Sequence, residues 1–229
     1  SMTATAARNW IRLARQHPSA LLLAVQLLGV LLYPAMEDTQ AGRAMFGAFG
    51  ILVLSLALWV VNRSPLVNWV AWVLALPSVT LSIFAALSGR ADLVAVIHLL
   101  EGMLYLYAAF GLIAYMLRDH RVSLDELFAA GATFTLLAWA FAYSYSVCQQ
   151  WFPGSFIAAV EPDAPRTWME LLFLSFSTLS GVGLSDIIPI RPQARALVML
   201  EQFAGVMYIA LVVSRLIGLT VLRAPPRRE

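Results

Sequence analysis

The sequence predicts an all-α membrane protein: six transmembrane helices, with a short re-entrant helix and loop between the last two. Three observations predict it. The 229 residues are 61% hydrophobic and only 12% charged, with a mean hydropathy of +0.78. A water-soluble domain carries about 25% charged residues, so this chain cannot cover a water-facing surface. Six apolar stretches come close to the roughly 20 residues that cross a hydrocarbon core. One further apolar stretch, 166–179, is too short to span and runs into the polar, glycine-containing segment TLSGVGLSD.

The elements follow in chain order. Residues 1–18 form an expected cytoplasmic N-terminal segment that carries Arg8, Arg12 and Arg15. The first span, 19–35, reads as a retained helix: more spans follow it, and no small-residue cleavage motif closes it. EDTQAGR then leads into 44–61, NRSP into 66–87, SGRAD into 91–117, and RDHRVSLDE into 127–148. EPDAPR opens the short stretch 166–179, and the last span is 196–222. Residues 223–229 are an expected short cytoplasmic tail. Two membrane domains are expected, a four-helix domain over 19–118 and a second one over 124–222.

Arginine placement sets the expected orientation. All fifteen basic residues are Arg. Ten fall on one side: Arg8, Arg12, Arg15, Arg63, Arg118, Arg121, Arg215, Arg223, Arg227 and Arg228. Five fall on the other: Arg43, Arg90, Arg166, Arg191 and Arg195. The positive-inside rule puts both termini in the cytoplasm, which matches an even number of spans. A bacterial inner membrane is the expected setting. Trp10, Trp69, Trp151 and Trp168 lie near predicted ends, where interfacial anchoring explains them.

Composition also excludes functions. No basic stripe lies on a soluble face, so no nucleic acid is expected as a partner. The single Cys148 forms no intrachain disulfide and seeds no metal cluster. No nucleophile–base pair or phosphate loop is visible, so neither an enzyme nor an organic cofactor is expected.

The short stretch reads as a helix entering from the outer face. Asp163 is expected to cap it, Pro165 to sit in its first turn and Glu170 to lie early in it. Its C-terminal carbonyls, near Thr178, would carry partial negative charge inside the membrane, which favours a cation. Non-helical backbone at that depth survives only when it is buried in protein or lines a water-filled cavity. Loop carbonyls can then replace an ion's hydration shell, and glycine lets successive carbonyls point the same way.

These residues carry a resemblance. SGVGLSD, with Pro189 three residues after Asp186, is similar to the filter of the tetrameric potassium channel superfamily. That filter reads TVGYGD after a Thr-rich turn. ARALVMLEQFAGVMYIALVVSRLIG resembles the superfamily's inner helix. The resemblance is close over 166–222 and extends more loosely to the whole chain. It implies a pore domain over 124–222, a homotetramer in a lipid bilayer, and passive conduction of a monovalent cation, K+ above others. It assigns the filter to Thr178, Ser180, Gly181, Val182, Gly183, Leu184, Ser185 and Asp186, with no metal beyond the permeant ion. It places a hinge at Gly205; Val206, Ile209 and Val213, at helical spacing below it, are expected to line an inner cavity whose apolar ring could gate by dewetting.

Three filter letters depart from the pattern. Gly181 replaces a threonine, Leu184 a tyrosine and Ser185 a glycine. On the family backbone, Ser185 would take a left-handed conformation that costs a non-glycine residue about 1–2 kcal/mol. Selectivity is therefore expected to be altered or relaxed.

Alternatives stand beside several of these readings. Asp186 could draw cations to the outer mouth or cap local N–H groups. Gly205 could be a close packing contact instead of a hinge. Val206, Ile209 and Val213 could face lipid. His98 and Glu101, three apart on one face, could sense protons or form a satisfied polar pair. Glu201 is expected to brace the loop region. The span 91–117 holds no Arg, so no voltage sensing through gating charges is expected. The rival functions are a non-conducting, channel-like binding or regulatory module and a proton-coupled transporter centred on His98 and Glu101.

Overall fold

In the computed structural model the described residues are 16–37, 40–61, 68–118 and 123–222, with side chains described for 16–35, 49–60, 69–118 and 123–222. Arg8, Trp10, Arg12, Arg15, Arg63, Arg121, Arg223, Arg227, Arg228 and the Arg43 side chain, on which much of the expected orientation rests, lie outside them.

The chain is built from helices: α1 (Pro18–Glu37), α2 (Gln40–Val61), α3 (Asn68–Ser88), α4 (Val94–Leu117), α5 (Leu124–Trp151) and a short α6 (Trp168–Leu179). The last stretch is α7 (Pro192–Tyr208), a π-helical turn (Ile209–Val213) and α8 (Ser214–Leu222). Two-residue strands β1 (Phe156–Ile157) and β2 (Ile188–Pro189) pair antiparallel. Five segments among the described residues are long and apolar enough to cross a membrane: Pro18–Ala35, Trp69–Ser88, Ala91–Leu117, Leu124–Trp151 and Pro192–Leu222. Where the sequence predicts a sixth, α2 contributes the shorter apolar stretch Phe49–Val60.

The described residues fall into two compact units. One draws on Ser1–Leu66, Phe110–Thr135 and Val212–Glu229, the other on Val67–Ala109 and Leu136–Leu211. Each takes residues from both segments that the sequence marks as domains.

In the first unit α1 packs closely on α2 and α5. A Cβ at Gly29 would lie 2.1 Å from Phe49 Cε1, and one at Gly131 would lie 2.9 Å from Leu23 Cδ2. Glycine permits both approaches because it adds no side-chain bulk. Asp125 caps the start of α1: its carboxylate accepts from Ser19 N–H at 3.0 Å, Ser19 Oγ at 2.9 Å and Tyr115 Oη at 3.1 Å. The first N–H groups of a helix lack intrahelical partners, and a neighbouring carboxylate satisfies one here. Arg215 donates to the Leu117 carbonyl at 3.2 Å, which covers a free acceptor at the end of α4.

The second unit holds the short helix. Its core gathers Tyr145 and Cys148 from α5, Phe156 from β1, Leu171 and Leu174 from α6, Ile187, and Ala194 and Val198 from α7.

Candidate functional site

The site is the chain from α6 to α7. Thr167, not Asp163, caps α6. Its Oγ1 accepts from Glu170 N–H at 3.2 Å, and Glu170 Oε2 accepts from Thr167 N–H at 2.7 Å. This is a reciprocal capping box, and its T-x-x-E signature stands in the sequence as TWME. Pro165 precedes the helix.

Arg166 holds the approach to α6. It is only 4% exposed, and its guanidinium donates to the carbonyls of Val160, Glu161 and Ala164 and to the Glu170 carboxylate. Its backbone exchanges two hydrogen bonds with the Gln149 side chain, at 3.0 and 2.8 Å. The positive φ of Glu161, 48°, lies in the loop that this guanidinium gathers.

At its other end α6 closes on itself. Ser180 N–H donates to the Phe176 carbonyl, Gly181 N–H to Thr178 and Gly183 N–H to Ser177, at 3.0–3.1 Å. Gly181, at φ 75°, occupies the left-handed position that ends many helices. The carbonyls expected to face a cation at the end of α6 are therefore occupied by donors from the loop.

The free oxygens lie further on. Among the described residues, no carbonyl of 180–186 accepts a hydrogen bond. Buried Leu179 and Ile187 anchor the two ends of this segment, while Val182 and Leu184 are 72% and 75% exposed. The β1–β2 pair and an Ile190 N–H bond to the Ser155 carbonyl, 2.8 Å, hold the outgoing strand. The result is a loop held at both ends that presents an uninterrupted run of unpaired backbone oxygens, with Gly183 at φ 71°. Beside it lies an open concavity of about 490 Å³, lined in part by Ser177, Thr178, Gly183, Gln202 and Val206.

Ser185 does not take the left-handed conformation that the family backbone would impose; among the described residues only Glu161 combines a side chain with positive φ. Its Oγ accepts from Ile187 N–H at 3.0 Å, which makes a local turn. The loop backbone around Ser185 thus differs from the one the resemblance implies, and the expected strain is absent. The Asp186 carboxylate is exposed and accepts no hydrogen bond from the described residues, so it caps nothing here.

Gly205 is a packing position. A Cβ there would lie 2.1 Å from the Leu179 carbonyl oxygen, so α7 presses directly on the backbone at the end of α6. The helix departs from α geometry four residues later, in the π-helical turn Ile209–Val213. Such turns are frequent at functional sites and bend helices. They also break regular spacing: Val206 and Ile209 are exposed, Val213 is half-buried and Val212 is buried.

Behind the loop sits a polar group that sequence reasoning did not assemble. Glu201, at 0% exposure, receives a hydrogen bond from Tyr145 Oη and contacts Ser175 Oγ, which lies 2.6 Å from the Ala138 carbonyl. His98 Nδ1 lies 2.8 Å from Ser146 Oγ, so its partner there is not Glu101, which is half-buried.

Among the described residues no three His, Cys, Asp or Glu side chains gather to hold a metal. Residues 131–221, from α5 through the loop into α8, match the family model described as an ion channel. No curated protein and no solved structure matches the chain. The match and the five apolar segments support an integral membrane protein, one segment of which is similar to an ion-channel family.

Proposed function

We propose that this chain forms a homotetrameric, potassium-channel-like cation channel, with residues 180–186 of four copies around a common axis. The observation that carries the proposal is the run of unpaired carbonyls between two buried anchors, inside the segment matched to an ion channel. Desolvating a cation costs several kcal/mol or more, and only aligned oxygens offset it in a low-dielectric setting. A loop with no internal use for its oxygens supplies that environment.

In this reading α2 is the sixth span, α6 and its loop are re-entrant, and both termini lie in the cytoplasm. The permeant ion is monovalent, K+ by resemblance, with relaxed preference because Gly181, Leu184 and Ser185 leave the family pattern. The α4 segment contributes no gating charges, the protein performs no covalent chemistry, and no organic cofactor takes part.

The test is flux through purified protein in liposomes. K+-driven uptake is expected, with a K+ over Na+ preference that rises in the Leu184→Tyr, Ser185→Gly double variant. Absence of cation flux under every gradient, from protein that purifies as a tetramer, would instead favour a channel-like binding or regulatory module.

A further inference from the structure

The polar group behind the loop is short of one proton. Ser175 has a single hydroxyl proton, yet its Oγ lies within bonding distance of two oxygens: the Ala138 carbonyl at 2.6 Å and Glu201 Oε1. A carbonyl can only accept. If Ser175 donates to Glu201, its contact with Ala138 is no hydrogen bond; if it donates to Ala138, Glu201 must be the donor to Ser175. Tyr145 Oη donates to Glu201 Oε2. One chain makes every contact a hydrogen bond: Tyr145 donates to Glu201, Glu201 to Ser175, and Ser175 to the Ala138 carbonyl. An ionised carboxylate breaks this chain, because it has no proton to give Ser175.

We propose that Glu201 is held as a neutral carboxylic acid and acts as the positioning residue that fixes the base of the loop from the inner helix. The chain enters α6 at Ser175, five residues before the run of free carbonyls, and joins three elements. Glu201 comes from α7, Tyr145 and the Ala138 carbonyl from α5, and Ser175 from α6. All three side chains are buried, with 0% exposure at each. Burial makes an unpaired member costly, so the network holds one arrangement. No charged side chain from α5 or α6 is bonded to Glu201: its partners are a phenol and an alcohol. Nothing there compensates an anion, in keeping with the neutral form.

The role in the loop rests on the channel reading; the protonation does not. Infrared spectra of the purified full-length protein test the second. A carboxylic-acid carbonyl band that shifts in D2O and is missing from Glu201→Gln is expected, and identical spectra in this region would overturn the neutral acid. Flux in liposomes tests the first. Gln can accept from Tyr145 and donate to Ser175, so Glu201→Gln should keep the wild-type K+ over Na+ ratio. Ser175→Ala and Glu201→Leu each remove a link and should move that ratio about 5- to 10-fold, the worth of a buried hydrogen bond. A Gln variant as altered as Leu, or a Ser175→Ala variant that selects like wild type, would overturn the positioning role. Silent wild-type protein would count against the channel reading and against any positioning role, while the infrared result stands alone.

Discussion

Helices α3 and α5 are both long and apolar enough to cross a membrane but have opposite surroundings. Of the spanning segment in α5, 61% is buried within the protein; in α3 the figure is 6%, although α3 is the more apolar of the two. The difference lies in where their polar side chains send hydrogen bonds. In α3, Thr80, Ser82 and Ser88 each donate to a carbonyl four residues earlier in the same helix, at 2.6–2.7 Å. In α5, Thr135 and Ser144 do the same, but Asp125, Tyr145, Ser146 and Gln149 bond to other elements. A hydroxyl satisfied by its own backbone can face lipid, whereas one bonded across elements fixes a neighbour. Burial here follows hydrogen-bond destination better than it follows hydropathy, and α6, the loop and α7 belong with the α5 pattern.

The sharpest way to break that contrast is at Gly205. An alanine Cβ would meet the Leu179 backbone, which has no flexible end to move aside. Gly205→Ala is expected to cost about 3 kcal/mol or more, at the upper end of overpacking penalties. Thermal melting and size-exclusion profiles in detergent check it, and an unchanged profile would mean that α7 does not press on α6. Arg166→Met comes next. It strands the carbonyls of Val160, Glu161 and Ala164, so a loss of about 2–4 kcal/mol in melting experiments is expected. Thr167→Ala removes half of the capping box and should cost about 1 kcal/mol. A smaller loss at Arg166 than at Thr167 would show that the buried guanidinium is not what holds the approach to α6.

These sites divide by what a sequence can display. Hydropathy exposes long apolar helices because the bilayer acts on every residue of a span at once, so most spans, the short α6 and the loop after it are legible. The cap at Thr167 was legible too, as TWME, but Asp163 and Pro165 offered a more conspicuous start. Arg166 was counted only as an outer-face charge, since nothing in its neighbours in sequence says that the guanidinium turns inward onto backbone. The β1–β2 pair is two residues long on each side, too short for any alternation to register. The π-helical turn lies in IALVV, whose letters are those of an ordinary apolar helix. The Glu201 group joins residues up to 63 positions apart, since the Ala138 carbonyl belongs to it, and only the packed structure brings them together.

The smallest expected effect lies in α3 and tests the lipid-facing half of the comparison. Leu76 and Ile83 are 59% and 56% exposed. In a bilayer a lipid tail is as apolar as Leu, so a side chain facing lipid before and after unfolding contributes almost nothing to the difference. Leu76→Ala and Ile83→Ala should each shift stability by less than about 0.5 kcal/mol, the range of substitutions that touch no packed feature. A buried Leu→Ala in the α5 pattern costs about 2–5 kcal/mol, so the two cases separate cleanly in parallel melts. A loss at Leu76 as large as that at Thr167 would mean that protein, not lipid, covers this face. Cross-linking between cysteines placed at 76 and 83 of separate copies would then show whether a second chain supplies the cover.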